Sequence, residues 1–378
     1  MPEMQSAAVP LKGRDPRLDV MRGIALVMIF INHVPGNPFE NYTSRNFGFT
    51  DAAEVFVTLA GAAAGLAYGS GFRARPYWPA VARVLSRVWT LYLVQILTSM
   101  LAIAVVMSGY VFLNEESLLT ANNFRPLLQK PMEVLIGIPI LTHQFGYVNI
   151  LPMYIVLMLM VPLFLLVAQR HPRWLLAGSV ALWAVAGHYH IDLPNWPNPG
   201  GWFFNPLSWQ LIFVLGLLTG LRLKQGLRFV PVRRWLQALS VAYLLLALVW
   251  TKSPAATDVL GHGLWFVQEN FGVPQLMTTF DKTYLTLPRL LHILALFYLV
   301  SSIPTIRRLC ASRWMEPFAL LGRQALPVFA SGSVLCFAAQ ILMSWYDTGF
   351  WGTNLLLGLG LAIQFALAYG RERFRVKR

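Results

Sequence analysis

Arg22 and His33 stand eleven positions apart within one apolar run of this chain. Eleven residues make about three helical turns, so both side chains project from one face, roughly 16 Å apart along the axis. A guanidinium is permanently charged and forked for phosphate or carboxylate. An imidazole is the side chain best suited to take a proton, or to attack a carbonyl, near neutral pH. One helical face would thus join an anion-binding group at one end to a base at the other. Charge inside hydrocarbon costs about 3 kcal/mol or more unless it faces a bundle interior or a wet cavity. Each ionisable residue in an apolar run is therefore a candidate for function.

The remaining candidates fall into three groups. Asp51 and Glu54 open the second apolar run three residues apart, adjacent on a helix surface. A carboxylate beside His33 would orient its ring and stabilise the imidazolium, which makes His33, Glu54 and Asp51 a candidate catalytic set. Helix capping by Thr50 or Asp51 is the competing reading. Arg83 and Arg87 lie four apart on one face at the start of the third run. With Arg22 and Arg323 they suit a phosphate-rich ligand, although a single arginine at such a place also snorkels to the interface. Arg289 and His292 are three apart behind Pro288, placed to support an oxyanion or an acceptor, or to meet lipid phosphate. No metal site is expected. The two cysteines, Cys310 and Cys336, provide no disulfide framework.

Hydrophobic residues are 56% of the 378 positions and charged residues 12%, against roughly a quarter charged in soluble domains. Apolar runs of this length imply an all-α bundle crossing a bilayer. The predicted spans are 18–34, 51–72, 80–108, 147–168, 173–190, 206–222, 235–251, 285–304, 318–345 and 350–370, about ten in all. Met132 to Leu141 is too short to span and reads as re-entrant or interfacial. With ten spans the basic clusters, from Lys12 to the tail RERFRVKR, all fall on one side, which places both termini in the cytoplasm. That clustering at run ends also accounts for the net charge of +14 without nucleic acid. The longer connections 35–50, 109–146 and 252–284 are expected outside. Residues 1–13 are expected to be a disordered cytoplasmic tail, 14–370 a single transmembrane domain and 371–378 a basic cytoplasmic tail.

The stretches RLDVMRGIALVMIFINHVPGN from Arg17 and RNFGFTDAAEVFVTLAGAAAGLAYG from Arg45 resemble the OpgC family, within the wider acyltransferase-3 group of membrane acyltransferases. NILPMYIVLM at 149–158, NPLSWQLIFVLG at 205–216, LPRLLHILALFYL at 287–299 and LGRQALPVF at 321–329 look similar to the same family. The resemblance implies a bacterial inner-membrane enzyme moving an acyl group, succinyl or acetyl, from a coenzyme A thioester to a hydroxyl of a periplasmic glucan or other glycan. Acyl-CoA is then a donor substrate, with no tightly bound cofactor. His33 would be the base and Arg22 part of the donor site. Asn149, Trp209 and Gln210, in the matched stretches, join Arg289 and His292 as substrate-binding candidates. No appended soluble acyltransferase domain is expected within these residues. A transporter or flippase for an anionic or glycan substrate is the alternative, with the same arginines lining a path.

Overall fold

A computed structural model describes residues 15–374, so the expected tail at 1–13 and the last four residues of the chain lie outside the described part. Thirteen helices carry the architecture: α1 (Pro16–Asn32), α2 (Ala52–Tyr68), α3 (Trp78–Leu113), α4 (Ile150–Arg170), α5 (Pro172–His188), α6 (Pro206–Lys224), α7 (Arg234–Lys252), α8 (Pro254–Phe271), α9 (Leu287–Ser302), α10 (Pro304–Cys310), α11 (Glu316–Arg323), α12 (Ala325–Trp345) and α13 (Gly349–Arg373). Among the described residues no β-strand forms, only an isolated bridge between Pro194 and Gly201. Among the described residues seven helices are long and apolar enough to cross a membrane: α2 with the turn that follows it, α3, α4, α6, α7, α12 and α13. The pair α9 and α10, bent by 80°, would make an eighth. α1 and α5 have 17 residues each, just under the usual spanning length. Pro131–Gly137 is a seven-residue helix and does not cross.

The centre of the bundle is the contact between α2 and α6. Lipid tails are as apolar as leucine, so hydrophobicity alone does not drive helices together in a bilayer; close packing of small residues does. Here the glycines are reciprocal. A Cβ on Gly61 would stand 2.0 Å from the Phe213 carbonyl oxygen, and one on Gly65 would stand 2.3 Å from that of Leu217. Facing them, a Cβ on Gly216 or Gly220 would lie 2.1 Å from the Thr58 or Ala62 carbonyl oxygen. Two Gly-x-x-x-Gly faces thus bring backbone onto backbone, and both helices are largely buried. By contrast α3, α7 and α13 leave most of their apolar surface outward, the arrangement lipid requires.

Two regions depart from the sequence reading. The expected span 318–345 is broken at Gln324 into α11 and α12. Gly23 of α1 packs on the Phe318 carbonyl and Gly322 on that of Asp19, so α11 runs antiparallel to α1. α12 then returns beside α1, where Gln340 reaches the His33 carbonyl. The second departure is in the connection 252–284, much of which is the 18-residue helix α8 with no buried residue. α13 also continues to Arg373, so the first residues of the expected basic tail are helical.

Gly61→Ala should lower thermal stability in detergent by about 1–3 kcal/mol, because the new methyl meets a backbone carbonyl that cannot move aside. Gly178→Ala, where nothing lies within 4 Å, serves as the control and should stay within about 0.5 kcal/mol of the parent.

Candidate functional site

His33 sits where α1 ends and is half-buried. Its backbone is held from two directions. The Gln340 amide donates to the His33 carbonyl at 2.7 Å, and the Asn37 amide donates to the Ile31 carbonyl at 2.9 Å and also to that of Val34. Its ring nitrogens have no hydrogen-bond partner among the described residues. The ring instead packs at a tilt against that of Tyr147, with centroids 4.1 Å apart and planes inclined by 36°. Tyr147 has a left-handed backbone, φ 62°, which costs a bulky residue about 1–3 kcal/mol. Ser333 donates to its carbonyl at 3.2 Å. A cavity of only about 10 Å³ lies beside His33, bounded by α1, α12 and Gln364 of α13, with room for about one water.

The expected carboxylate partners of His33 are engaged elsewhere. Asp51 is the N-cap of α2: one oxygen accepts from the Ala53 amide at 2.8 Å and the other pairs with Lys282. Glu54 completes a capping box by accepting from the Asp51 amide at 3.0 Å, and its second oxygen pairs with Arg289, whose Nε is 2.9 Å away. Both oxygens of each carboxylate are thus occupied by their own helix and by cations, and neither reaches His33. The capping reading of Asp51 holds, extended by two ion pairs that the sequence did not announce. A third link runs parallel to them: the Thr50 hydroxyl meets His292 Nδ1 at 2.6 Å. Gly48 closes over the other ring nitrogen, since a Cβ there would be 2.0 Å from His292 Nε2. His292 is therefore a buried tie between α2 and α9, not an exposed acceptor contact.

Two other expected substrate contacts are likewise internal. Trp209 is fully buried and donates its indole N–H to the Lys282 carbonyl at 2.9 Å. Gln210, also fully buried, is saturated: it accepts from the Ser179 hydroxyl at 2.5 Å and donates to the Ser179 and Leu207 carbonyls. A polar side chain in an apolar bundle must find such partners, which makes these residues tertiary ties. Asn149 precedes α4, half-buried, with no capping bond from its side chain.

Next to these ion pairs opens a cavity of about 470 Å³, within the range of small-ligand sites. Asp51 and Arg289 line it, together with residues that sequence reasoning missed: Arg45, Asn46, Lys252 and the rings of Phe49, Trp250 and Phe280. The three rings touch one another, with centroids 4.5 to 5.6 Å apart. Their signal in the sequence was weak, because aromatics at the end of an apolar run are ordinary interface anchors.

The remaining cations lie toward the other end of α1. Arg22 donates to the Leu59 carbonyl at 3.2 Å and stands 3.9 Å from Asp19, tying α1 to α2. Arg83 is exposed and Arg87 half-buried on α3, and neither has an ion pair among the described residues. Arg83 lies against Gly71. Arg323 is neutralised by Glu316 at 2.6 Å and Glu372 at 3.3 Å, so the expected phosphate contact is instead a link between α11 and α13.

Membrane-type helices enclosing buried charge pairs define this chain as an integral membrane protein of the helical class. A family model described as OpgC protein matches residues 14–376, and the chain belongs to that family. No curated protein matches, and no solved structure matches.

Glu54→Gln should destabilise the protein by up to about 3–5 kcal/mol, because half-buried Arg289 would lose the carboxylate it is paired with. Thermal melts in detergent should show Glu54→Gln with Arg289→Gln to be less damaged than Glu54→Gln alone.

Proposed function

We propose that this chain is a membrane-bound O-acyltransferase of the acyltransferase-3 type. In this reading it lies in the bacterial inner membrane with ten spans and both termini in the cytoplasm. It moves an acyl group, succinyl or acetyl, from acyl-CoA to a hydroxyl of a periplasmic glucan or another extracytoplasmic glycan. The observation that carries the reading is His33, an imidazole with unengaged nitrogens at one end of α1, on the helix that also bears Arg22, in a chain of the OpgC family.

In this mechanism Arg83 and Arg87 hold the phosphates of the donor, with Arg22 deeper along α1 on the way to His33. The acceptor enters from the opposite side, through the cavity that Trp250, Phe280 and Arg289 line. His33 takes the proton of the sugar hydroxyl as its oxygen attacks the thioester carbonyl, and collapse of the tetrahedral adduct breaks the C–S bond. The imidazolium then returns the proton to the departing thiolate. No metal is required. An acyl-histidine intermediate is the alternative order of the same bond changes, with His33 attacking first. Because the space beside His33 holds about one water, the donor arm requires α12 and α13 to part from α1.

His33→Ala should reduce acyl transfer at least about a hundredfold while the melting temperature stays near that of the parent. Retained turnover in a reconstituted assay with labelled donor would remove the base from the mechanism. Arg83→Ala combined with Arg87→Ala should raise the donor dissociation constant by about tenfold or more with little change at saturating donor, and an unaltered binding isotherm would refute the phosphate assignment.

A further inference from the structure

A reacting imidazole needs its ring fixed as well as its backbone, and the usual device is a carboxylate on the distal nitrogen. Here that device is absent among the described residues, since Asp51 and Glu54 are held by Lys282 and Arg289. The backbone on either side of His33 is pinned by Gln340 and Asn37, yet neither of them hydrogen-bonds to the ring. The contact the ring does make is with Tyr147, centroids 4.1 Å apart and planes tilted by 36°.

We propose that Tyr147 is the positioning residue of the site: its ring, packed at a tilt against His33, sets the imidazole orientation in place of a carboxylate. This rests on the reading of His33 as the reacting base. Three observations converge on it. Tyr147 occupies a left-handed backbone that a bulky side chain avoids, so the surrounding structure selects the ring's position against local preference. That backbone is met from α12 by the Ser333 hydroxyl, whose one proton is shared between the Tyr147 carbonyl at 3.2 Å and the Phe329 carbonyl at 3.0 Å. Gln340, which holds the His33 carbonyl, also neighbours the Tyr147 hydroxyl, so one side chain of α12 spans both members of the pair. A ring contact, unlike a carboxylate, leaves both imidazole nitrogens open, one for a proton and one for water or substrate, and adds no negative charge at the apolar end of α1. The sequence contains the signal only as a tyrosine just before an apolar run, which reads as an interface anchor.

Tyr147→Asn and Tyr147→Phe separate this role from a structural one. Asparagine tolerates the left-handed backbone and removes the ring; phenylalanine keeps the ring and removes the hydroxyl. With His33→Ala assayed in parallel, Tyr147→Asn should lose about tenfold or more in kcat, with donor and acceptor KM changed less than about twofold, and Tyr147→Phe should restore kcat. A Tyr147→Asn enzyme as fast as the parent, beside an inactive His33→Ala, overturns the positioning role and leaves the base in place. Tyr147→Phe as slow as Tyr147→Asn also overturns it, because the hydroxyl rather than the ring contact would then matter. An active His33→Ala overturns both. Should Tyr147→Asn fail to fold, Ser333→Ala decides: a lower kcat at constant KM supports the clamp, and an unchanged kcat overturns it.

Discussion

The contact that the remaining structure depends on is the backbone-to-backbone seam of α2 and α6. Gly61 and Gly65 on one helix and Gly216 and Gly220 on the other each lie on a carbonyl of the partner, so the two axes approach as closely as helices can. In a bilayer this replaces the hydrophobic effect as the source of a specific, rigid core. Once α2 is set on α6, the first turn of α2 is fixed in space, and that turn carries the charges of the candidate site. The same device recurs at smaller scale between α1 and α11, where Gly23 and Gly322 sit on each other's helix.

Burial then decides what the charges do. A carboxylate removed from water must be matched, and Asp51 and Glu54 are matched twice over, by amides of their own helix and by Lys282 and Arg289. Together with Thr50 and His292, these pairs fasten the start of α2 to the loop before α9 and to its first turns. The cluster thus stabilises the wall of the larger cavity, while Arg289 and Asp51 present part of their surface to it. His33 differs from all of these groups. It has no ionic partner in contact, only a ring beside it, and that leaves its nitrogens open for chemistry.

The two ends of α1 therefore differ in kind. At the His33 end, aromatic and amide groups surround an imidazole whose nitrogens have no hydrogen-bond partner among the described residues. At the Arg22 end, arginines divide between those tied to carbonyls and carboxylates and those, Arg83 and Arg87, that face outward without a counter-ion among the described residues. The α11 hairpin separates these groups: by turning back at Gln324 it brings Arg323 to Glu372 of α13 and commits that charge to structure.

Several features were legible from residue order alone. Run length and sparse charge imply a helical membrane bundle, because a bilayer admits no other continuous apolar segments of this kind. The helix that bears Arg22 and the capping signature at Asp51 and Glu54 follow from local periodicity and stand in the structure, where His33 is the C-cap just past the end of α1. The break at Gln324 was hidden, since apolar residues continue on both sides and the Gln324 side chain finds its partner, Glu372, 48 positions away. Pairings such as Glu54 with Arg289, the ties of buried Trp209 and Gln210, and the contact of Tyr147 with His33 join residues 31 to 235 positions apart. Periodicity determines which face a residue occupies; only the packing of helices against one another determines what that face meets.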